Sequence, residues 1–273
     1  MTLDVRLPLR DLPWRRTRDP WGVLVSEVML QQTQVARVIP RWAELMRSHP
    51  TPASFAALSR HDVLVMWQGL GYPRRAVALH RAAQRVIELG AFPDTLDGLL
   101  ALPGVGPYTA RAVLAFAFEA DVAVVDTNIA RVLARVEGRR LTAREVQTAA
   151  DALVPPGDAW RWNQTLMDVG ATLCRPSSPR CSECPLVSRC SFRGVGDDPA
   201  VGSAGVSRRQ APYAGSDRQA RGDLLRALAN GPLGIGECAH VMSRDDVRAA
   251  ALVDALVRDG LACVVDDLVS LPV

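Results

Sequence analysis

The sequence contains no lysine; all 32 of its basic residues are arginines. No lysine amine is therefore present to form a Schiff base with a sugar aldehyde. Nor is there a run of 18 apolar residues, so no membrane span is expected. Near the N-terminus, Asp4 and Pro8 interrupt the stretch where a secretory signal would need continuous apolar residues. A soluble, cytoplasmic protein is expected, and in that compartment its six cysteines are not expected to form disulfides. No internal repeat is present. A chain of 273 residues can hold one large or two to three small domains. The net charge of +3 is unevenly distributed: the residues after Gly196 carry 8 basic and 11 acidic side chains, leaving the preceding body basic. A basic body suits an anionic partner such as nucleic acid.

The chain is organised around Trp21 to Val35, WGVLVSEVMLQQTQV. Trp21, Leu24, Val25, Val28 and Met29 recur at helical spacing. Glu27 is the single carboxylate in this helix, with Val23 and Leu24 behind it and Leu30 ahead. Burial penalises the charged form of a carboxylate and raises its pKa, which suits a general acid working near neutrality. The plainer alternative is a core helix with a satisfied glutamate. Gln31, Gln32, Thr33 and Gln34 then offer amide and hydroxyl groups that can pair with a base edge.

A break is expected at Pro40, followed by helices over Arg41–Ser48, Ala57–Trp67 and Ala76–Gly90, with Gly90 as a C-cap. Between the last two lies Gln68-Gly69-Leu70-Gly71-Tyr72-Pro73-Arg74-Arg75, a glycine-punctuated loop carrying an aromatic and two guanidinium groups. After a short helix over Pro93–Leu102, Leu102-Pro103-Gly104-Val105-Gly106-Pro107-Tyr108 reads as the turn of a helical hairpin. Its glycines, Gly104 and Gly106, allow a close backbone approach, and Pro107 suits the first position of the next helix. Free amides at such a turn form a cup for an anion, and a DNA phosphate fits it. The apolar run Val122–Val125 ends in Asp126-Thr127-Asn128, where Asp126 is positioned to cap a helix over Ile129–Val136. Helices over Ala143–Leu153 and Trp160–Leu173 lead to the cysteines.

Cys174, Cys181, Cys184 and Cys190 follow the pattern C-x6-C-x2-C-x5-C. Structural zinc usually pairs cysteines at short spacings at both ends, whereas four thiolates in one compact loop suit a [4Fe–4S] cluster. Cys238 and Cys263 stand apart and are expected in the core. Residues 197–217 read as a linker containing Arg208 and Arg209. Residues 218–273 read as three helices (Arg218–Ala229, Ile235–Met242, Asp245–Asp259) and two strands (Leu261–Val265, Leu268–Leu271), a small winged-helix-like unit. Arg208, Arg209, Arg218 and Arg221 lie around Tyr213, a composition able to follow a phosphate backbone.

SEVMLQQTQV, GLGY, LPGVGPYTA, VVDTN and the cysteine loop, in that order, resemble the adenine DNA glycosylases of the endonuclease III-like helix-hairpin-helix superfamily. These remove adenine mispaired with 8-oxoguanine or guanine in duplex DNA. The resemblance covers about residues 12–194. It implies a mainly α fold with a six-helix domain over 21–126 and an iron–sulfur cluster domain built from 1–20 and 127–196. It further implies that Glu27 protonates the adenine ring and that Asp126 stabilises or traps the sugar cation, a two-carboxylate division of labour. Tyr108 and Asn128 would sit beside the sugar. Gln32 and Tyr72 would fill the gap left by base flipping. Trp14 and Gln164 would line the adenine pocket, and the four cysteines would hold the cluster.

Bifunctional relatives carry a lysine where this chain has Tyr108, so a monofunctional glycosylase is expected. The family's usual Nudix-like domain that reads 8-oxoguanine is longer than the 77 residues after Gly196, and such short-tailed relatives look actinobacterial. Only eleven residues precede Leu12-Pro13-Trp14, fewer than the family's usual N-terminal helix would need. The competing readings are a thymine or uracil mismatch glycosylase on the same fold and a non-catalytic DNA-damage binder. The Gln31–Gln34 run favours adenine over the former, and Glu27 together with Asp126 favours an enzyme over the latter. A monomer is expected.

Overall fold

The computed structural model describes Val5, residues 7–206 and residues 211–273. Arg208 and Arg209 of the expected linker lie outside the described residues. Helices dominate. In chain order they are α1 (Pro20–Leu30), α2 (Val35–Ser48), α3 (Pro52–Ala56), α4 (Arg60–Met66), α5 (Arg74–Leu89), α6 (Leu96–Leu100) and α7 (Pro107–Ala117). There follow α8 (Thr127–Glu137), α9 (Ala143–Asp151), α10 (Ala159–Asp168), α11 (Asp217–Leu228), α12 (Ile235–Met242) and α13 (Asp246–Arg258). Three short strands, β1 (Leu233–Gly234), β2 (Cys263–Val265) and β3 (Leu268–Ser270), form an antiparallel sheet in the order β1–β3–β2. None of the described helices is long and apolar enough to cross a membrane.

The chain divides into two compact units. One comprises Met1–Glu27, Pro93–Ala101 and Val105–Arg209; the other comprises Val28–Phe92, Leu102–Gly104 and Gln210–Val273. In the first unit, α1 is apolar on all sides: Trp21, Val23, Leu24 and Val25 are each at most 2% exposed. The stripe expected from the sequence is therefore a helix buried all round. Asp19 starts it by accepting from the backbone N–H groups of Trp21 and Gly22. Asn163 of α10, fully buried, takes the Val124 N–H at 2.8 Å and gives its own amide to the Val122 carbonyl at 2.9 Å. The apolar run before Asp126 thereby has its backbone satisfied without joining a sheet. Beyond α10 the chain unwinds into a wider π-helical turn, Val169–Leu173, where a Trp160–Leu173 α-helix was expected.

In the second unit, α2 runs straight through Pro40, so the expected break does not occur. Pro40 lies on an exposed face of α2, and the loss of one helical hydrogen bond is borne within a long helix. The helix expected over Ala57–Trp67 is split, because Ser59 caps a new start by accepting from the Asp62 N–H. Gly90 ends α5 in the left-handed region (φ 73°), as its sequence position suggests. Gly104 (φ 76°) needs its missing side chain twice over, since a Cβ there would come within 2.5 Å of Ala78 Cβ.

The tail's three helices fall where the sequence placed them. Strand β1 was not foreseen, since two residues carry no alternation to read. More consequential is the tail's core. Leu224, Leu228, Cys238, Leu252, Leu256, Leu261 and Val269 pack in one apolar cluster with Leu64 of α4 and Val77 of α5. The tail and the α4–α5 segment are thus parts of one packed body. Because Leu224 is wholly buried in it, Leu224→Ala should lower the unfolding free energy by about 2–5 kcal/mol. A denaturant midpoint that barely moves would remove this shared core from the fold's energetics.

Candidate active site

Glu27 lies on α1 and is 5% exposed, inside the apolar unit just described. Burial is the main cause that pushes its carboxyl up to about 7; repulsion from Asp126 adds to this. The Tyr108 hydroxyl, which donates to Glu27, and the charge of Arg15 act the other way without prevailing. Tyr108 stands in the first turn of α7, directly after Pro107, and is itself pushed well above the usual phenol range by burial and by the two carboxylates. It stays a neutral hydrogen-bond donor.

Asp126 caps α8. One carboxylate oxygen accepts from the backbone N–H groups of Asn128 (2.9 Å) and Ile129 (2.7 Å), and the other accepts from the Asn128 side-chain amide at 2.7 Å. Burial raises its pKa, and these three donors with Arg131 oppose the rise. The orientation of the Asn128 amide follows from its neighbours. Its oxygen accepts from Arg131 Nη2 at 2.8 Å, which leaves its NH₂ to face Asp126. Arg131, 2% exposed, also donates to the carbonyls of Thr127, Gly170 and Cys174. The π-helical turn makes this possible: Gly170 lies so close to α8 that a Cβ would come within 2.4 Å of Asn128 Cβ.

Two further residues bear on Glu27. Arg15, in the one-turn helix Pro13–Arg15 with Trp14, forms a bidentate pair with Asp168 at the end of α10, both distances 2.8 Å. Arg10 adds its backbone N–H and its Nε to the same carboxylate at 2.8 and 2.6 Å. Burial alone would raise the Asp168 pKa, but these two arginines bring it below the usual range. Trp14 (7% exposed) and Gln164 (4%) are buried in this unit. Gln164 stands four residues before Asp168, on the same face of α10. The structure therefore brings together Glu27, Tyr108, Asp126 and Asn128, and adds Arg15, Asp168 and Arg131. Sequence reasoning missed these last three because nothing distinguishes one arginine among 32 or one helix-terminal aspartate.

The four loop cysteines belong to the same unit. Burial pushes the Cys184 thiol up; a backbone hydrogen bond from Leu186 opposes the rise, and repulsion from Cys174, Cys190 and Cys181 adds to it. Arg135 donates to Cys174 Sγ at 3.2 Å and to the carbonyls of Cys174 and Arg175, and is paired with Asp198. Gly194 (φ 81°) brings its backbone beside Cys181 Sγ, 3.1 Å from where a Cβ would stand. Among the described residues, no three His, Cys, Asp or Glu side chains converge as they would on a single ion.

Of the remaining expected contacts, Gln31, Gln32, Thr33, Tyr72 and Gly104 lie in the other unit, and Gly106 lies in the first. Gln32 (φ 55°) and Tyr72 (φ 48°) both occupy the left-handed backbone region, uncommon for side chains of this size. Arg75 ties their two turns together. Its guanidinium donates to the carbonyls of Val28, Met29 and Gln31, to Thr33 Oγ1, and to the carbonyls of Leu70 and Gly71. It thereby caps the C-terminal end of α1 and fixes both turns. Gly104 is exposed and Gly106 half-buried, with open space before the latter.

Comparison with known proteins agrees with this geometry. The family described as HhH-GPD superfamily base excision DNA repair protein matches residues 25–156. The adenine DNA glycosylase of Mycolicibacterium smegmatis is 42% identical over 261 residues, 92% of this chain and 87% of that protein. The human adenine DNA glycosylase is 42% identical over 201 residues, 67% of this chain and 37% of that protein. Among solved structures, a thermostable thymine-DNA glycosylase has a TM-score of 0.65 at 32% identity, covering 68% of this chain and 89% of that one. Endonuclease III in a non-covalent complex with DNA has a TM-score of 0.60 at 26% identity, covering 70% and 89%. The chain belongs to the HhH-GPD superfamily of base excision DNA repair proteins, among the adenine DNA glycosylases.

Proposed function

We propose that this protein is a monofunctional DNA glycosylase that hydrolyses the N-glycosidic bond of adenine mispaired with 8-oxoguanine or guanine in duplex DNA. The observation that carries it is a buried Glu27, its carboxyl pushed up to about 7, in the same unit as an Asp126 held by three amide donors. Burial and the Asp126 charge both oppose ionisation of Glu27. Asp126 has three donors favouring its charge, whereas Glu27 has one hydroxyl, so the proton resides on Glu27. Glu27 then donates to a ring nitrogen of the flipped adenine. The bond from C1′ to the base breaks with its electron pair leaving on the purine, and the Asp126 carboxylate faces the oxocarbenium-like sugar. Water adds at C1′ and returns a proton to Glu27. Asn128 keeps Asp126 oriented, and Tyr108 keeps Glu27 oriented. Arg15 Nε, buried without a hydrogen-bond partner among the described residues, is a spare donor for the base beside Trp14 and Gln164.

DNA is the proposed partner, with the protein acting as a monomer in the cytoplasm on the bacterial nucleoid. Gln32 and Tyr72 are the proposed wedges, Gln31 and Thr33 shape their turn, and Gly104 and Gly106 present the hairpin to a phosphate. The tail's order of helix, strand, two helices and two strands is that of a winged-helix-like unit. Cys174, Cys181, Cys184 and Cys190 fit a [4Fe–4S] cluster. A four-iron cluster takes one thiolate at each corner, and this loop supplies four cysteines within 17 residues. Such a cluster would supply a covalent cross-link for the loop, with no part in proton transfer.

Five measurements test this reading. Glu27→Gln should lose about 10²–10⁴-fold in adenine excision while still binding mismatched duplex. In the unaltered enzyme excision should decline as pH rises through about 7, where Glu27 loses its proton. Near-normal turnover by the variant, or a rate indifferent to pH across neutrality, would remove Glu27 from the mechanism. Borohydride should trap no stoichiometric adduct with the cleaved sugar, because Tyr108 cannot form an imine. Efficient trapping would contradict monofunctional chemistry. Purified protein should be yellow-brown with about four irons per chain; stoichiometric zinc without visible absorption would replace the cluster. Duplexes carrying a single A:8-oxoguanine, A:G, T:G or U:G pair separate adenine from pyrimidine excision.

A further inference from the structure

Arg218 and Arg221 belong to the arginine-and-tyrosine segment around Tyr213 whose composition could follow a DNA backbone. In the structure both are occupied within the second unit, and what they hold is the Tyr72 loop. Arg218, in the first turn of α11, donates from Nη1 to the Tyr72 hydroxyl at 3.1 Å and from Nη2 to the Ala211 carbonyl at 2.7 Å. Arg221 donates at 2.5 Å to Asp259, whose side chain is 6% exposed and also pairs with Arg74. The tail therefore grips Tyr72 and Arg74, on either side of Pro73. Beneath them, Leu64 and Val77 belong to the tail's own apolar cluster.

The gripped loop is strained. Gly69, Gly71 and Tyr72 all have positive φ (85°, 72° and 48°), and a tyrosine keeps such a backbone only where its surroundings enforce it. Arg75 enforces it from one side, bonding the Leu70 and Gly71 carbonyls with its guanidinium 5.6 Å from the Tyr72 ring. Trp67 Nε1 adds a bond to the Gly71 carbonyl at 3.1 Å. Those contacts fix the backbone and the ring, but the phenol end is oriented by Arg218.

We propose that the tail is a brace for this loop and that Arg218 is a positioning residue. It aims the Tyr72 ring for insertion beside the flipped nucleotide, so the tail serves excision through the loop. This rests on the wedge role of Tyr72 given above. Full-length Arg218→Leu, Arg218→Lys, Tyr72→Phe and the Arg218→Leu/Tyr72→Phe double variant test it in two ways. The first is single-turnover excision of adenine opposite 8-oxoguanine. The second is hydrogen exchange over residues 68–75, with thermal midpoints measured alongside. Arg218→Leu and Tyr72→Phe should each slow excision by about 3–10-fold, the scale of one exposed charge-assisted hydrogen bond. The double variant should be no slower than the slower single variant, since both remove the same contact. Arg218→Lys should recover part of the rate, and Arg218→Leu should speed exchange in 68–75 without lowering the thermal midpoint. Multiplicative losses in the double variant, or unchanged exchange in Arg218→Leu, overturn the brace. Multiplicative losses with salt-sensitive DNA binding would return Arg218 to a phosphate contact. If exchange responds while the unaltered protein excises no adenine, the glycosylase reading fails and the brace stands.

Discussion

Two carboxylates confined in one apolar region set the terms for the rest of the first unit. Neither Glu27 nor Asp126 would be tolerated there as a free ion, because burial penalises each charge and each opposes the other's ionisation. The fold answers with asymmetry. Asp126 stands at a helix N-terminus, where two backbone amides and a side-chain amide are aimed at it. Glu27 sits in mid-helix, where all backbone donors are already spent, and keeps its proton to about neutral pH. Much of the surrounding structure maintains that difference. Asn163 delivers the chain to Asp126, Gly170 lets α8 approach the π-helical turn, and Arg131 chooses the orientation of the Asn128 amide.

What the sequence could convey follows from the range of each interaction. Glu27 was legible because a lone carboxylate in an apolar helix is a local anomaly. Asp126 was legible because N-caps are written in adjacent residues, and Pro107 and Gly90 mark helix ends in the same local manner. Arg15 with Asp168 was not legible, since their pairing spans 153 residues and depends on how α10 packs. The split at Ser59 could have been read, because a serine with an aspartate three residues on is a cap signal, but the apolar run across it hid the boundary. Pro40 misled for the opposite reason: a proline on the exposed face of a long helix costs one hydrogen bond, which packing elsewhere offsets.

The tail shows how composition can suggest the wrong freedom. Glycine, serine, alanine and arginine before residue 218 read as a tether joining independent parts. Yet the apolar cluster beyond it includes Leu64 and Val77. A helix pair such as α4–α5 has an inner and an outer face, and the second needs cover if it is apolar. The tail supplies that cover. Its acidic balance then has a local use in Asp259, which is almost fully buried between Arg74 and Arg221. A carboxylate so placed is stable only while both guanidiniums remain, so the α5 end and the tail are held by charge as well as by apolar packing.

The exclusive use of arginine acquires a structural meaning at these junctions. Arg75 serves five carbonyls and one hydroxyl; Arg131 serves three carbonyls and one side-chain amide; Arg135 bonds Asp198, Cys174 Sγ and three carbonyls of the cysteine loop. A planar fork of five N–H donors can satisfy such diverging acceptors at once, whereas an ammonium group offers three donors from one point. Lysine at any of these positions would preserve the charge and leave carbonyls unpaired where burial makes that expensive. Each of these arginines links turns distant in sequence: the ends of α1 and the Tyr72 loop, the α8 cap and the π-helical turn, the cysteine loop and the segment around Asp198. The positions of the reactive carboxylates and of the braced tyrosine are therefore set by guanidinium geometry, and it is shape, more than charge, that makes these residues irreplaceable.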